Sequence, residues 1–432
     1  MWFDPLPGLG IRFLSSSEIV DLPFSFLNYL TGTTMSDVRD EVPVFFVRNF
    51  LDRYDVEACL AFAGDGYPSL HWEEVDRQGG CSWTLFGRRG SEGAFGGDGM
   101  GRSGDCKVEG SDNPRDGKED AREGDKVVLL QFRLGKHAVS TEILREASRI
   151  FSPLVPWTRD LGSIRVGDEG RVDLQVLEMQ FLPGVVRLSD VLPHGRVLDP
   201  RTLQLCQDVI RDLTWYFARA WEGGHMATLS AERECHGRVG KSMVSRLRKL
   251  EKDLPIPALC ERARRTRQAV EEGLLDVVPV GVNHGDLLPS NILVDPSSWT
   301  INGYIDWAEA EGLPSGICLY GLEHILGYVE DADDSDKGER LRFVYYEQAD
   351  ELRRIFWEEF EQLVPAVRRT DARKALDLSR DVGILLWKGF AWDDGAIDRA
   401  INLEDDLEEV ACLEAWLTLD SGIDRRDSFI SS

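Results

Sequence analysis

Two carboxylates and one amide lie at short spacings in the second half of the chain. Residues 284–295 read HGDLLPSNILVD and residues 301–307 read INGYIDW, which places Asp286, Asn291 and Asp306 in one segment. A carboxylate such as Asp286 can accept a proton from an attacking hydroxyl. The side-chain oxygens of Asn291 and Asp306 are ligands that Mg²⁺ prefers. The pattern therefore predicts phosphoryl transfer from metal-bound ATP.

The neighbouring residues predict how these side chains are brought together. Two short runs, apolar at 292–294 and alternating at 301–305, indicate strands that are joined by a turn containing Pro and Ser. Pairing these strands would place Asn291 beside Asp306, with Asp286 on the loop before them. We therefore expect one cleft lined by all three groups.

These residues resemble the aminoglycoside phosphotransferase family, the small-molecule branch of the protein-kinase-like fold, in a fungal-type member. The family pattern is His-Gly-Asp, four further residues, Asn, and later Ile-Asp-Trp, and residues 284–307 match it without a substitution. The resemblance implies that Asp286 is the catalytic base and that Asn291 and Asp306 hold Mg²⁺. It also implies that His284 braces the catalytic loop. Two hairpin carboxylates and a buried histidine would explain each residue singly, but not the whole pattern.

The resemblance implies an α+β fold with two lobes, a small β-rich N-lobe and a larger, mainly helical C-lobe. The 432 residues and the hydrophobic content of 42% are compatible with two or three compact units. The order of elements follows the family over residues 75–420. We expect an N-terminal extension at 1–40, the N-lobe at 41–180, the C-lobe at 181–420 and a mobile tail at 421–432.

Two predicted N-lobe strands carry candidate nucleotide contacts. Residues 79–86 indicate a glycine turn that enters a strand, so backbone amides near Gly79, Gly80 and Ser82 could approach phosphate. A plain hairpin turn is the alternative. Residues 127–133 indicate a second, buried strand. These elements look like the nucleotide-covering loop and the third strand of a kinase-like N-lobe.

The second of these strands lacks the lysine that usually grips the ATP phosphates in kinase-like enzymes. Alternation places Gln131 and Arg133 on one face, so Arg133 could supply the cation. A planar guanidinium is not equivalent to an ammonium point charge. Lys126 and Lys136, near the strand ends, are weaker candidates.

The following helix and hinge supply the remaining candidates. The helix predicted at 140–151 offers Glu142 as the preferred partner of the strand cation and Glu146 as the alternative, although both could simply face solvent. A strand at 175–179 ends where Pro and Gly break the regularity, which looks like the hinge between lobes. In the family, backbone groups from Glu178 to Phe181, including those of Gln180, would face the adenine.

The stretch from 87 to 125 is rich in glycine and charged residues, and such a composition cannot offset the entropy of ordering. We predict a disordered insertion. Its sequence GMGRSG at 99–104 satisfies the GxGxxG pattern. No strand precedes this pattern and no amphipathic helix follows, so a dinucleotide site is not expected.

Composition excludes several classes of partner. The net charge of −26 and the pI near 4.7 disfavour nucleic acid and anionic membranes. The eight cysteines lack any CxxC pair or zinc-ligand spacing, which predicts reduced thiols. The sequence shows neither a secretory signal nor an apolar run long enough to span a membrane, so we expect a cytoplasmic protein. The oligomeric state stays open.

The acceptor is the least determined part of the prediction. Trp357, Trp387 and Trp392, with acids between 393 and 405, could form a pocket for an amine or quaternary ammonium group. Core packing is the alternative and is favoured for most of them. Basic residues between 238 and 267 could dock an anion, but a solvated helical face balanced by neighbouring acids is favoured.

Three functions are compatible with these patterns. The first is an ATP-dependent kinase that phosphorylates a hydroxyl of a small molecule. The second is a nucleotide-binding pseudoenzyme or regulatory protein, since the strand lysine is missing. Phosphorylation of protein substrates is disfavoured, because no long activation segment ending in Ala-Pro-Glu follows Asp306.

Overall fold

The structure is a computed structural model that describes residues 42–75, 78–89, 127–224, 239–332, 340–393 and 396–418. The predicted extension and tail lie outside the described residues. Most of the predicted insertion, including its GxGxxG pattern, also lies outside the described residues. The same holds for Lys126.

Two helices begin the described chain. Helix α1 spans Val44–Arg48 and helix α2 spans Arg53–Gly66. The Asp52 carboxylate caps α2, because it accepts hydrogen bonds from the backbone N–H groups of the first turn of this helix, at 2.7 Å for Tyr54. Such a cap contributes about 1 kcal/mol to helix stability.

A five-stranded antiparallel sheet, in the order β1-β2-β3-β5-β4, forms the N-lobe. Its strands are β1 Leu70–Glu74, β2 Ser82–Arg89, β3 Val128–Leu134, β4 Thr158–Val166 and β5 Val172–Met179. Strand β2 therefore continues into the range predicted as insertion.

The central strand β3 sorts its side chains onto two faces. It pairs with β2 through Ser82 and Arg133 and with β5 through Arg133 and Gln175. Leu130 and Phe132 are fully buried in the N-lobe core, which α2 covers. Alternation then turns Arg133 to the opposite face, towards the C-lobe.

Helix α3, Thr141–Phe151, connects the lobes. The Ser140 hydroxyl caps this helix, since it accepts a hydrogen bond from the backbone N–H of Ile143. Its buried face, with Ile150 and Phe151, packs in the C-lobe core. The Phe151 ring stacks on Tyr216 at a centroid distance of 4.6 Å.

The C-lobe is mainly helical. Its helices are α4 Pro200–Gly223, α5 Met243–Asp253, α6 Pro257–Glu271, α7 Tyr320–Ile325, α8 Ala349–Leu363, α9 Thr370–Lys388 and α10 Leu407–Leu417. Its short strands are β6 Val186–Arg187, β7 Val280–Asn283, β8 Ile292–Val294, β9 Ile301–Tyr304, β10 Glu311–Pro314, β11 Gly327–Asp331 and β12 Leu341–Tyr345. They form the sheets β6-β8-β9, β10-β7 and β11-β12.

Most of the basic stretch is balanced by acids, as predicted. Arg248 lies 2.9 Å from a carboxylate oxygen of Glu271, and Lys249 lies 2.8 Å from Asp253. Within the described residues, no helix is both long and apolar enough to cross a membrane. The two-lobed α+β fold predicted from the sequence is confirmed.

Candidate active site

The predicted hairpin forms and brings its functional ends together. Strands β8 and β9 pair with Ile292 opposite Tyr304. Beyond that pair, the backbone N–H of Ile305 donates to the carbonyl oxygen of Asn291 at 2.9 Å. Asn291 therefore lies directly beside Asp306, as the spacing predicts.

Asp286 is tied to Asn291. The Asn291 Nδ2 donates to the Asp286 Oδ2 at 2.8 Å and to the Asp286 backbone oxygen at 2.9 Å. Both bonds use the amide nitrogen, so they leave the amide oxygen to other partners. The amide thus holds the carboxylate and still offers an oxygen ligand.

The protonation equilibrium of Asp286 is shifted towards the neutral form. Burial raises the pKa of its carboxyl to about 6, and the negative charge of Asp306 adds to the rise. The hydrogen bond from Asn291 and the positive charge of Lys388 oppose it. The carboxylate is therefore ionised at neutral pH but close to its proton-accepting range.

His284 joins the loop of Asp286 to the strand before Asp306. Its Nε2 lies 2.9 Å from the Ile305 carbonyl oxygen, and its Nδ1 accepts from the Asp286 backbone N–H at 3.3 Å. Burial lowers the pKa of the imidazole to about 4, so the ring is neutral. This geometry fits the bracing role that the resemblance implies.

Gly285 and Tyr320 complete the support of this loop. Gly285 has φ +79°, and a Cβ built there would lie 1.8 Å from the backbone oxygen of Glu309. The Tyr320 hydroxyl donates to the Gly285 carbonyl oxygen at 2.9 Å and accepts from the Leu287 N–H at 3.2 Å. The loop thus packs against the segment that follows Asp306.

Asp306 adopts the left-handed conformation, with φ +59°. A non-glycine residue in this region is uncommon and is often found at functional sites. The next residue, Trp307, anchors the turn, since its Nε1 donates to the Tyr304 carbonyl oxygen at 2.8 Å. The Asp306 side chain is 43% exposed and faces the cleft.

Arg133 reaches across the cleft from the N-lobe. Its side chain is 4% exposed, and its Nη1 donates to Asp306 Oδ1 at 3.3 Å. The same guanidinium donates to the His137 carbonyl oxygen at 3.1 Å and to Gln131 Oε1 at 3.0 Å. Arg133 therefore lies in the wall of the cleft, in contact with Asp306.

The predicted glutamate partner is not brought to this cation. The guanidinium of Arg133 is directed at Asp306 and the turn after β3, whereas Glu142 is exposed in the first turn of α3. The alternative, Glu146, accepts from Arg149 in the next turn of the same helix. In this structure the carboxylate of Asp306 takes the place expected of a helix glutamate.

A cavity of about 730 Å³ lies between the lobes. Its walls include the apolar side chains of Leu129, Leu177, Met179 and Leu293. Six residues singled out from the sequence also line it, namely Gly79, Ser82, Arg133, Gln180, Asn291 and Asp306. Apolar walls with a few convergent polar groups are typical of a small-molecule site.

The side chains of Glu178 and Gln180, at the predicted hinge, lie on different sides of the cavity wall. Leu177 and Met179 line the cavity, so alternation turns the Glu178 side chain away, where it forms an ion pair with Arg159. The prediction for Glu178 concerns its backbone groups, and it stays a prediction. Gln180 does line the cavity, but its Oε1 accepts from the Trp157 backbone N–H at 3.1 Å.

The glycine turn before β2 contacts the C-lobe. A Cβ built on Gly80 would lie 2.6 Å from the Trp392 ring, so this close approach requires glycine. The neighbouring Gly79 and Ser82 line the cavity. The turn therefore lies at the edge of the cleft, and its contact with phosphate stays a prediction.

The three tryptophans considered as a possible aromatic pocket have separate neighbours. Trp387 stacks on Tyr320 at 5.6 Å, and Trp357 lies under the guanidinium of Arg373 at 3.4 Å. Trp392 is 49% exposed and contacts Gly80. Core packing explains the first two, which was the favoured alternative.

Two side chains close to the Asp286 loop were not predicted from the sequence. Tyr320 supports the catalytic loop, and the buried Lys388 acts electrostatically on Asp286 from the end of α9. Both come from helices distant in sequence, and neither belongs to a local motif. The resemblance covered residues 284–307 closely and gave no signal for them.

The cleft offers a small set of possible metal ligands. Within the described residues, no group of three or more His, Cys, Asp and Glu side chains could hold one. Asn291 and Asp306 supply one amide oxygen and one carboxylate. This small set fits Mg²⁺, which is usually bound by one or two carboxylates together with substrate phosphates.

No family model and no curated protein matches the chain. Among solved structures, a type I macrolide 2'-phosphotransferase is similar at 14% identity and a TM-score of 0.45, covering 86% of this chain and 99% of that one. A choline kinase from Cryptosporidium parvum is similar at 10% identity and 0.44, covering 87% and 98%. An aminoglycoside phosphotransferase from Streptomyces rimosus, in complex with ADP and streptomycin, is similar at 15% identity and 0.38, covering 76% and 98%.

The chain is thus similar to small-molecule phosphotransferases and kinases. Identities of 10–15% do not carry over a substrate. The expectation of a fungal-type member stays a prediction.

Proposed function

We propose that this protein transfers the γ-phosphoryl group of ATP to a hydroxyl of a small molecule bound between the lobes. The observation that supports this most is the arrangement around the interlobe cavity. Arg133, Asn291 and Asp306 line it together, and Asp286 is bonded to Asn291 beside it. A cation, two oxygen ligands and a carboxylate base are what phosphoryl transfer requires.

In the proposed reaction, Asp286 accepts the proton of the attacking hydroxyl. The hydroxyl oxygen forms a bond to the γ-phosphorus, and the bond from that phosphorus to the bridging oxygen of ADP breaks. Asn291 and Asp306 would hold Mg²⁺, which neutralises phosphate charge when it is bound. Arg133 supplies positive charge from the N-lobe, and His284 positions the loop.

A nucleotide-binding protein without efficient chemistry is the second candidate. One observation favours it, because Arg133 replaces the usual lysine and pairs directly with the candidate metal ligand Asp306. Binding of nucleotide and metal would then have to keep the ion pair between Arg133 and Asp306 or break it. A guanidinium cannot be assumed to release a carboxylate as readily as an ammonium would.

Thermal unfolding with ATP and Mg²⁺, compared between the wild-type protein and Asp306→Ala, tests nucleotide binding. A ligand that binds the folded state stabilises it by about 2.7 kcal/mol at a hundredfold excess over its dissociation constant. We expect this shift in the wild-type protein and a much smaller one in the variant. An absent shift in the wild type would overturn both candidates.

Transfer of labelled phosphate to a panel of sugars, amines, hydroxy acids and secondary metabolites separates the two candidates. Transfer that depends on Asp286 supports the kinase. Nucleotide binding without transfer to any member of a broad panel supports the binding protein.

A further inference from the structure

The indole of Trp392, in the C-lobe, contacts the glycine turn before β2 in the N-lobe. A Cβ built on Gly80 would lie 2.6 Å from the Cη2 atom of this ring and 3.3 Å from its Cζ2 atom. The ring therefore lies directly against the backbone of the turn. Gly79 and Ser82, on either side of this contact, line the interlobe cavity. Trp392 thus touches the N-lobe element that borders the cavity.

The lack of a side chain at Gly80 is explained by this contact. Gly80 does not have a positive φ, so its backbone conformation is open to other residues. At Gly79 the nearest atom to a built Cβ belongs to the turn itself, since it is the Ser82 Oγ at 3.0 Å. At Gly80 the three nearest atoms all belong to Trp392. The two lobes therefore fit each other at this position.

The segment that carries the indole is held together by one arginine. We call the described residues from 389 to 406 the Trp392 arm. The guanidinium of Arg399 donates to both oxygens of Asp393 at 3.0 Å and to Asp406 Oδ2 at 2.7 Å. These bonds join the residue after the tryptophan to the end of the arm. The position of Trp392 is therefore tied to the conformation of the whole arm.

The Trp392 arm is also fixed to helix α5. The guanidinium of Arg246 lies over the buried Phe390 ring at 4.0 Å, and its Nη2 donates to the Ile397 carbonyl oxygen at 2.7 Å. One residue of α5 thus contacts the arm on both sides of the tryptophan. The indole is held by the C-lobe and extends from it to the N-lobe turn.

Burial in the C-lobe core does not account for this tryptophan. Its side chain is 49% exposed, whereas the ring of Phe390, two residues earlier, is 4% exposed. An indole is large and has only two side-chain torsions, so it supplies a rigid contact surface at a low cost in conformational entropy. Its contact with Gly80 uses this surface between the lobes.

We propose that Trp392 is a positioning residue for the nucleotide, because it holds the glycine turn where Gly79 and Ser82 border the cavity. The inference rests on the proposed function, which supplies the nucleotide. A turn that is already in place loses less conformational entropy on binding than a turn that must first be ordered. Removal of the indole should therefore weaken nucleotide binding and leave the loop of Asp286 in place.

Calorimetric titration of the full chain with Mg²⁺ and a non-hydrolysable ATP analogue tests this role. Trp392→Ala should raise the dissociation constant of the analogue about three- to tenfold, as expected when a loop must be ordered on binding. Trp392→Phe keeps a ring and should recover part of the affinity. In turnover assays, Trp392→Ala should raise the KM for ATP more than it lowers kcat, which a general loss of packing would not do.

A double-mutant cycle tests whether the effect passes through the contact with Gly80. Gly80→Ala places a Cβ against the indole, so it should weaken binding of the analogue in the wild-type background. In the Trp392→Ala background the same replacement should change the dissociation constant by less than about twofold, because the ring that the Cβ meets is gone. Gly64→Ala, in α2 with nothing within 4 Å of the new Cβ, is the matched control in both backgrounds.

An unchanged dissociation constant in Trp392→Ala would overturn the proposal, as would an equal effect of Gly80→Ala in the two backgrounds. If the analogue does not bind the wild-type protein, the proposed function fails instead. The same cycle is then measured by urea unfolding. A smaller cost of Gly80→Ala without the indole would still show that Trp392 holds the turn, and an equal cost would overturn this as well.

Discussion

The catalytic segment at 284–307 and strand β3 line the same cleft but are held in place differently. In the segment, Asp286, Asn291 and Ile305 are linked to one another by hydrogen bonds between near neighbours. On β3, Arg133 meets Asp306 across 173 positions of sequence. The first arrangement is local, whereas the second depends on how the two lobes pack.

This contrast determines which functional groups keep their relative positions when the lobes move. A hairpin with a short turn fixes its own register, so its side chains keep their relation even if the lobes shift. The contact of Arg133 with Asp306 changes with any movement of one lobe against the other. Substitutions in the two regions should therefore affect turnover and nucleotide binding to different degrees.

Asp286→Asn should produce the largest effect, a loss of turnover of about 10²- to 10⁴-fold, because the amide cannot accept the proton. The variant keeps an oxygen for the hydrogen bond from Asn291, so nucleotide affinity should change little. Steady-state transfer and nucleotide titration measure the two quantities. Asp295→Asn, in the exposed turn of the same hairpin, is the control. Turnover near the wild-type value would remove Asp286 from the mechanism.

Gly285→Ala should destabilise the protein by about 2–4 kcal/mol. The left-handed backbone disfavours a side chain, and the added Cβ would overlap the backbone oxygen of Glu309. Gly162→Ala, in the N-lobe, has φ +98° and open space around the new Cβ, so it isolates the backbone cost. Urea unfolding measures both. Equal losses would mean that the catalytic loop can move away from the segment after Asp306.

The sequence predicted the hairpin well because its information is local. The apolar pairs, the turn and the spacing of Asn291 and Asp306 are all contained in one short segment. The side-chain direction of Glu178 depends on more than this local information, since it follows from alternation within β5 and from the register of the sheet. Lys388 could not be found because only the packing of α9 brings it near Asp286.

Arg133→Gln should weaken binding of Mg²⁺-ATP about 10- to 100-fold, since a buried charged hydrogen-bond donor is lost from the cleft. Arg133→Lys should recover part of this affinity, because it restores the charge without the planar fork. Calorimetric titration of the nucleotide measures both. Arg165→Gln, on the exposed face of β4, is the matched control.

Arg133→Lys with higher affinity and turnover than the wild type would contradict an arginine-adapted site. It would indicate instead that the wild-type guanidinium restrains Asp306, as the second candidate function requires.

The pH dependence of stability tests Asp286 without nucleotide or metal. Folding raises the pKa of this carboxyl from 3.8 to about 6. Between these values the unfolded chain loses the proton while the folded protein keeps it, so stability falls as pH rises through this range and is constant above it. We expect the free energy of unfolding of Asp286→Asn to exceed that of the wild type by about 3 kcal/mol at neutral pH.

Urea unfolding of both proteins at pH 4 and pH 7.5 measures this difference, and subtracting the two curves cancels the other titrating groups. Near pH 4 the wild-type carboxyl is largely neutral in the folded protein, so the gap should be nearly closed. A gap that is the same at both pH values would show that the substitution acts through packing. Asp286 would then have an ordinary pKa. The folded protein would hold its ionised carboxylate without the loss of folding free energy that accompanies a raised pKa.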